Sequence, residues 1–237
     1  MLLPKISIAF LLFLSVFLNA LATWRAGRFI KRRSKRQKFA FRPPLSLMIP
    51  VCGLEEEGIE HFRRFCRFEW PSYEVIFMVL DPNDPAIPLL CEIQSTSNCK
   101  VKLQIGGRSE GANLKVRNLL NAFPLVAYDW IIVCDADVKP EPNFLDGLIF
   151  PFSETNPQKD EVGMVHSLYR CMNDKSLASS WENVWINCDF WAQGLLGGWL
   201  KGTDFAFGAA MAFHRSTLNQ IGGFAVIRDY LADDYQL

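Results

Sequence analysis

The stretch Trp130-Ile-Ile-Val-Cys-Asp-Ala-Asp137 decides the fold. An apolar, β-branched run ends abruptly in two carboxylates. A buried strand of a mostly parallel sheet has this pattern, and such sheets bind ligands at the carboxyl ends of their strands. Asp135 and Asp137 are thereby expected at the rim of the sheet, where a nucleotide and a divalent cation can bind. Hard cations such as Mg²⁺ and Mn²⁺ take oxygen ligands and are often shared between one or two carboxylates and substrate phosphates. Alone, Asp-x-Asp is weak, because many strand-to-loop turns carry an Asp for turn chemistry. Its neighbours give it weight.

Working outward, strand and helix patterns alternate. Leu45–Val51 reads as a first strand, entered through Pro43-Pro44. A helical segment is expected over 55–68, a second strand over Tyr73–Leu80, a helix over 86–97 and a third strand over Val101–Ile105. Gly106-Gly107 breaks the chain before a helix over 113–122. Beyond the strand at 130–134, Val162–Ser167 and Phe205–Phe213 are a fifth and a sixth strand. Repeated βα units joined by short connections predict an open α/β sheet. The 177–200 stretch carries Trp181, Trp185, Trp191 and Trp199 among Leu, Phe and Ile. It reads either as a buried helix pair or as a surface that touches lipid, since Trp favours the bilayer interface.

Three acidic clusters fall at strand ends or edges: Asp81-Pro-Asn-Asp84, Asp135-Ala-Asp137 and Asp233-Asp234. Carboxylates repel phosphate oxygens. Their use beside a phosphorylated ligand is as metal ligands, as acceptors for nucleoside N–H and O–H groups, and as a general base. Each cluster is equally the composition of an exposed turn or a helix cap. Between them lies Gly106-Gly-Arg-Ser-Glu-Gly-Ala-Asn-Leu-Lys115, a Gly-rich loop opening a helix, which lets backbone approach a phosphate or base. Lys115 is placed to meet diphosphate charge. The loop is neither a Walker loop nor a dinucleotide fingerprint.

The N-terminus suggests a membrane. Residues 6–23 are uncharged and long enough to span a bilayer as a helix. Residues 24–42 then hold nine Lys and Arg and no acid. With Lys5 these are ten of the 25 basic residues, so 15 stand against 25 acidic residues in the rest of the chain. The positive-inside rule places the body in the cytoplasm after a single pass. A cleaved signal peptide would carry its positive charge on the other side. The basic neck at 24–44 sits beside the span, so it fits anionic lipid headgroups and not nucleic acid. The seven cysteines form no CxxC pair, which fits reduced thiols, most of them small core residues.

The segments Pro50–Glu55, Asp81–Ile87, Gly111-Ala-Asn-Leu-Lys115, Cys134-Asp-Ala-Asp-Val138, Gly163-Met-Val-His-Ser167, Phe207-Gly-Ala-Ala-Met211 and Ala232-Asp-Asp-Tyr235 resemble, in the same order, the ceramide glucosyltransferase family. The resemblance is closer to that family's bacterial relatives associated with hopanoid lipid synthesis. The uncharged stretch gives a transmembrane anchor over 1–23, and the resemblance implies a GT-A glycosyltransferase domain over 45–237. It also implies a UDP-sugar donor, a divalent cation, a membrane lipid acceptor and inversion at the anomeric carbon. Carried over by position, Asp81 or Asp84 contacts the nucleoside, and Asn113, Lys115 and Asp135 belong to the nucleotide-sugar site. Asp137 completes a metal-binding pair, and Asp234 is the general base with Asp233 before it. His166, Tyr169 and Arg170 border the sugar pocket, or His166 is a satisfied strand-end histidine. The donor and acceptor are either UDP-glucose with a ceramide-like lipid or UDP-N-acetylglucosamine with a hopanoid. The family continues into a Gln/Arg-x-x-Arg-Trp motif and further spans that do not follow Asp234 here. The expectation is therefore a fragment or truncated product, with a non-catalytic nucleotide-sugar binder as the alternative.

Overall fold

The computed structural model describes residues 2–33, 40–54, 58–153, 162–172, 175–202 and 205–236. The chain forms two compact units. One comprises Met1–Lys38 and Leu168–Asp204, the other Phe39–Ser167 and Phe205–Leu237.

In the first unit, helix α1 runs over Leu2–Arg33, so the predicted span continues as helix into the basic neck. Lys35, Arg36 and Lys38 lie outside the described residues. The segment 168–204, expected inside the 45–237 domain, belongs to this unit.

The second unit holds a six-stranded sheet. In chain order its elements are β1 (Leu45–Val51), α2 (Gly58–Phe65), β2 (Tyr73–Val79), α3 (Ile87–Thr96), β3 (Lys100–Ile105), α4 (Leu114–Ala122), β4 (Trp130–Cys134), α5 (Phe144–Ser153) and β5 (Met164–His166), then β6 (Ala210–His214) and α8 (Arg215–Gln220) after the first unit's α6 (Leu177–Val184) and α7 (Trp191–Lys201), and finally α9 (Asp233–Gln236). The helix expected over 55–68 is described only from Gly58, because 55–57 lie outside the described residues. The strand order is β3-β2-β1-β4-β6-β5. β3, β2, β1 and β4 are parallel; β6 is antiparallel to both β4 and β5. The sixth strand begins at Ala210, five residues later than its apolar composition predicts, because Gly208 and Ala209 form a turn.

The period-2 alternation of the strands divides the core. Leu45, Leu47 and Ile49 pack with Phe77 and Ile132 under α2, α3 and α5. Met48, Ile76, Ile131 and Phe213 pack with Val116 and Leu119 of α4 and Leu218 of α8. A sheet covered on both faces explains why β1 reads as a near-continuous apolar run. Pro50 is tolerated because β4 pairs only with Leu45–Met48, so its missing N–H interrupts no ladder bond there.

From β1 the chain turns to β2 and β3 on one side and later to β4 on the other. That reversal opens a crevice beyond the carboxyl ends of β1 and β4, the usual ligand position in open α/β sheets. At the opposite edge the buried Glu74 of β2 is held on several sides. Its Oε1 accepts from Ser46 Oγ at 2.8 Å and from Ala127 N–H at 2.8 Å. Lys102 Nζ lies 2.8 Å and Lys100 Nζ 3.4 Å from Oε2.

Candidate functional site

Two of the three acidic clusters are brought together at this end of the sheet, and the first lies at the end of β2. Asp135 directly follows β4, and its N–H donates to Ala209 O at 3.0 Å, tying the strand end to the turn before β6. Lys115, in the first turn of α4, places Nζ 2.7 Å from Asp135 Oδ1 and 3.6 Å from Asp233 Oδ2. Asn113 caps α4: its Oδ1 accepts from Val116 N–H at 3.1 Å. Its Nδ2 donates to Tyr230 O at 2.9 Å and Asp233 Oδ1 at 3.3 Å. Asn113 and Lys115 therefore join the Gly-rich loop to the C-terminal acidic pair.

Two glycines make these approaches possible. Gly111 has φ +145°, and a Cβ there would meet Arg228 O at 2.7 Å. Only glycine lets the loop lie this close to backbone. The contact is sealed by Ala112 N–H donating to Asp229 Oδ1 at 3.1 Å and Asn113 N–H to Arg228 O at 2.9 Å. At Gly208 an added Cβ would fall 2.8 Å from Asp234 Oδ2. The turn before β6 thus leaves the space that the Asp234 carboxylate fills. Sequence reasoning marked Phe207-Gly-Ala-Ala-Met211 as a motif but assigned Gly208 no role, and nothing local to it signals a partner 26 positions away.

The first cluster splits. Asp84 is buried, and its two carboxylate oxygens accept from Gly53 N–H at 2.7 Å and Ala86 N–H at 2.8 Å. It pins the loop after β1, where Gly53 takes φ +77°, to the loop after β2. Asp81 is exposed, and its Oδ1 accepts from Asn83 N–H at 2.9 Å. Asp84 is spent on the scaffold, whereas Asp81 faces outward at the end of β2.

Electrostatically, Asp135, Asp233 and Asp234 act on one ammonium, and Asp137 acts on Asp135. Burial pulls Lys115 down, but Asp135, Asp233 and Asp234 outweigh it and the net shift is upward. Asp135 is raised even though Lys115 pulls it down: burial is the largest cause, and Asp137 and Asp233 add repulsion. Both partners of this ion pair shift upward, Lys115 through the carboxylates beside it and Asp135 chiefly through burial, with repulsion from Asp137 and Asp233 added. A cation would relieve that repulsion. Among the described residues no three His, Cys, Asp or Glu side chains gather as a complete metal cage. The exposed Asp137 and the partly buried Asp135 instead fit the mode in which one or two carboxylates hold a hard cation and substrate phosphates and water complete it.

His166 is accounted for locally. Its Nδ1 accepts from Phe207 N–H at 3.2 Å, its ring packs on Phe205 and Phe207, and burial lowers its pKa. Tyr169 and Arg170 belong to the first unit. All seven cysteines are free thiols, but only Cys66 and Cys134 are buried, so the expectation that most are core residues fails. Cys52 and Cys91 are exposed because they lie in a loop and on a helix's outer face.

A parallel sheet with its switch point at β1/β4, an acidic turn after β4 and an antiparallel β6 is the frame of the GT-A glycosyltransferases. The mannosyltransferase PcManGT from Pyrobaculum calidifontis, in complex with GDP-Man and Mn²⁺, has this fold. It superposes with a TM-score of 0.62 at 20% identity, over 97% of this chain and 61% of that one. The chain belongs to glycosyl transferase family 21, whose profile matches residues 7–237. Ceramide glucosyltransferase 1 of Caenorhabditis elegans is 23% identical over 194 residues, 81% of this chain and 41% of that protein. Ceramide glucosyltransferase 3 of the same organism is 23% identical over 196 residues, with the same shares. The chain thus spans about two fifths of the length of these curated relatives.

Proposed function

We propose that this chain carries the donor site and catalytic base of a membrane-anchored, inverting glycosyltransferase that moves a hexosyl unit from a UDP-sugar to a lipid hydroxyl. Ceramide is the acceptor class that the curated relatives' names favour, and UDP-glucose the matching donor. The observation carrying this reading is the convergence of Lys115, Asp135, Asp137, Asp233 and Asp234 at the carboxyl edge of the sheet, around the space left by Gly208.

Asp81 accepts hydrogen bonds from the nucleoside, and Asp84 holds the loop that presents it. Asn113 and Lys115 fix the Gly-rich loop beside the diphosphate. Asp135 orients Lys115 and borders the ribose. Asp137, with Asp135 beside it, would hold a divalent cation, Mg²⁺ or Mn²⁺, which would neutralise negative charge on the diphosphate. Asp234 takes the proton of the lipid hydroxyl as its oxygen attacks the anomeric carbon. The new C–O bond forms while the bond to the diphosphate oxygen breaks, and UDP leaves with the bonding pair.

Helix α1 supports anchoring. Residues Ile8–Lys31 are long and apolar enough to cross a membrane, and the protein covers little of that stretch. With the basic residues following the span, a single pass puts the sheet body in the cytoplasm. There it stays close to an acceptor that does not leave the bilayer.

Asp234→Asn tests the base role. In ceramide-containing vesicles supplied with UDP-glucose, transfer is expected to fall about 10²–10⁴-fold, while UDP affinity is retained. Equal loss of transfer and of UDP binding would argue against Asp234 as the base.

A further inference from the structure

One face of the first unit is left uncovered. Leu177, Trp181, Val184 and Trp185 recur at i, i+4, i+7 and i+8, so they form one stripe along α6. They are 79%, 70%, 58% and 55% exposed. The other side of the same helix is settled. Ser179 is buried in a capping box with Ser176, Ser180 Oγ donates to Ser176 O, and Ile186 is buried just beyond. The stripe is therefore not the solvent side of a frayed element but an ordered row of large apolar side chains. A contiguous apolar surface of this kind marks an interaction site.

The chain continues from α6 through a π-helical stretch, Trp185–Phe190, into α7. α7 is tied to α1. Ala192 and Leu196 pack on Ala22 and Ala26, small residues that let the helices approach closely. Gln193 Nε2 donates to Asn19 Oδ1 at 3.1 Å, and the Arg25 guanidinium lies 4.9 Å from the Trp199 ring centre. These contacts fall where α1 passes from its apolar stretch into its basic one, the level at which an interfacial Trp belongs. The stripe is thus continuous with a helix that is itself read as membrane-spanning. Its two tryptophans suit the headgroup boundary. The stripe carries no basic residue, so apolar burial and not charge attraction would hold it there.

We propose that α6 and α7 form a monotopic membrane-docking element, with Leu177, Trp181, Val184 and Trp185 sunk into the interface of the same phospholipid bilayer that α1 crosses. This rests on α1 spanning that bilayer and is independent of the transfer reaction. The result would be a second attachment of the first unit to the bilayer.

The test is tryptophan fluorescence of the full chain in phosphatidylcholine vesicles, with lipids brominated near the headgroup end of the acyl chain. The Trp181→Phe/Trp185→Phe variant is compared with Trp24→Phe and the unmodified chain. The proposal expects the double variant to lose bromine-quenchable emission by at least as much as Trp24→Phe loses. Unchanged quenching in the double variant, with Trp181 and Trp185 reached by aqueous iodide, would overturn it. So would shielding from both quenchers that appears only as protein concentration rises, which would assign the stripe to a second copy of the chain. UDP binding measured on the same vesicles reports the donor site and the folding of each variant separately. Loss of quenching by every tryptophan would instead refute the span on which the proposal rests.

Discussion

Glu74 is buried and Asp135 partly buried at opposite edges of one sheet, and their surroundings drive them in opposite directions. Burial pushes Glu74 up, but bonds from Lys102, Ala127 N–H and Ser46 more than reverse this, and its pKa is lowered. Burial also pushes Asp135 up, and there Lys115 is shared with further carboxylates, so the net shift stays upward. Glu74 is a finished structural site, because its charge is met within the protein. Asp135 instead shares Lys115 with Asp233 and lies beside Asp137, and a perturbed carboxylate in such a cluster marks a candidate functional site.

The contrast can be broken by substitution. After Asp234→Asn, the largest effect is expected at Gly208→Ala. The new Cβ would fall 2.8 Å from Asp234 Oδ2 and 3.1 Å from its Cβ and Cγ, so the carboxylate is turned aside and Asp234 shifts slightly, with a small loss of Tm. Transfer should fall about 10²-fold, the scale of a 1 Å misplacement in a catalytic site. Unchanged transfer kinetics would remove Gly208 from the account. Glu74→Gln acts on stability alone and is expected to cost about 1–3 kcal/mol, read from denaturant unfolding of the detergent-solubilised chain, with UDP affinity unchanged. Because Glu74's folded pKa lies below its ordinary 4.5, its contribution is complete above that pH and is lost as pH falls through the depressed value. The gap between native chain and variant should therefore narrow below pH 4.5; a constant gap would deny the ionic role. Lys115→Met should cost about 1 kcal/mol, and saturating Mn²⁺ should raise its Tm more than that of the native chain, since a bound cation takes over the lost compensation. Equal shifts in both would mean that Lys115 and the cation do not share a site.

Much of this was legible in the residues. The strands were, because apolar runs ending in Asp81 and Asp135 mark both their span and the edge at which they stop. Lys115 and Asp137 were legible as charged groups beside a Gly-rich loop and a strand end. The division of labour between Asp81 and Asp84 was not, because it depends on Gly53 N–H and Ala86 N–H arriving from two loops. Gly208 was hidden for the same reason: its partner comes from far along the chain. The Trp-rich segment resisted because helical spacing is the same for a buried stripe and an exposed one. The structure leaves Trp181, Trp185 and Trp199 exposed and only Trp191 partly covered.

The central claim is that the unbalanced carboxylates form a metal-assisted donor site. Calorimetric titration of UDP into the detergent-solubilised chain, with and without Mn²⁺, tests it most directly. UDP binding should require Mn²⁺ and be lost in Asp137→Ala, while Glu74→Gln binds as the native chain does. UDP binding that is equally strong without metal, or undiminished in Asp137→Ala, would contradict it.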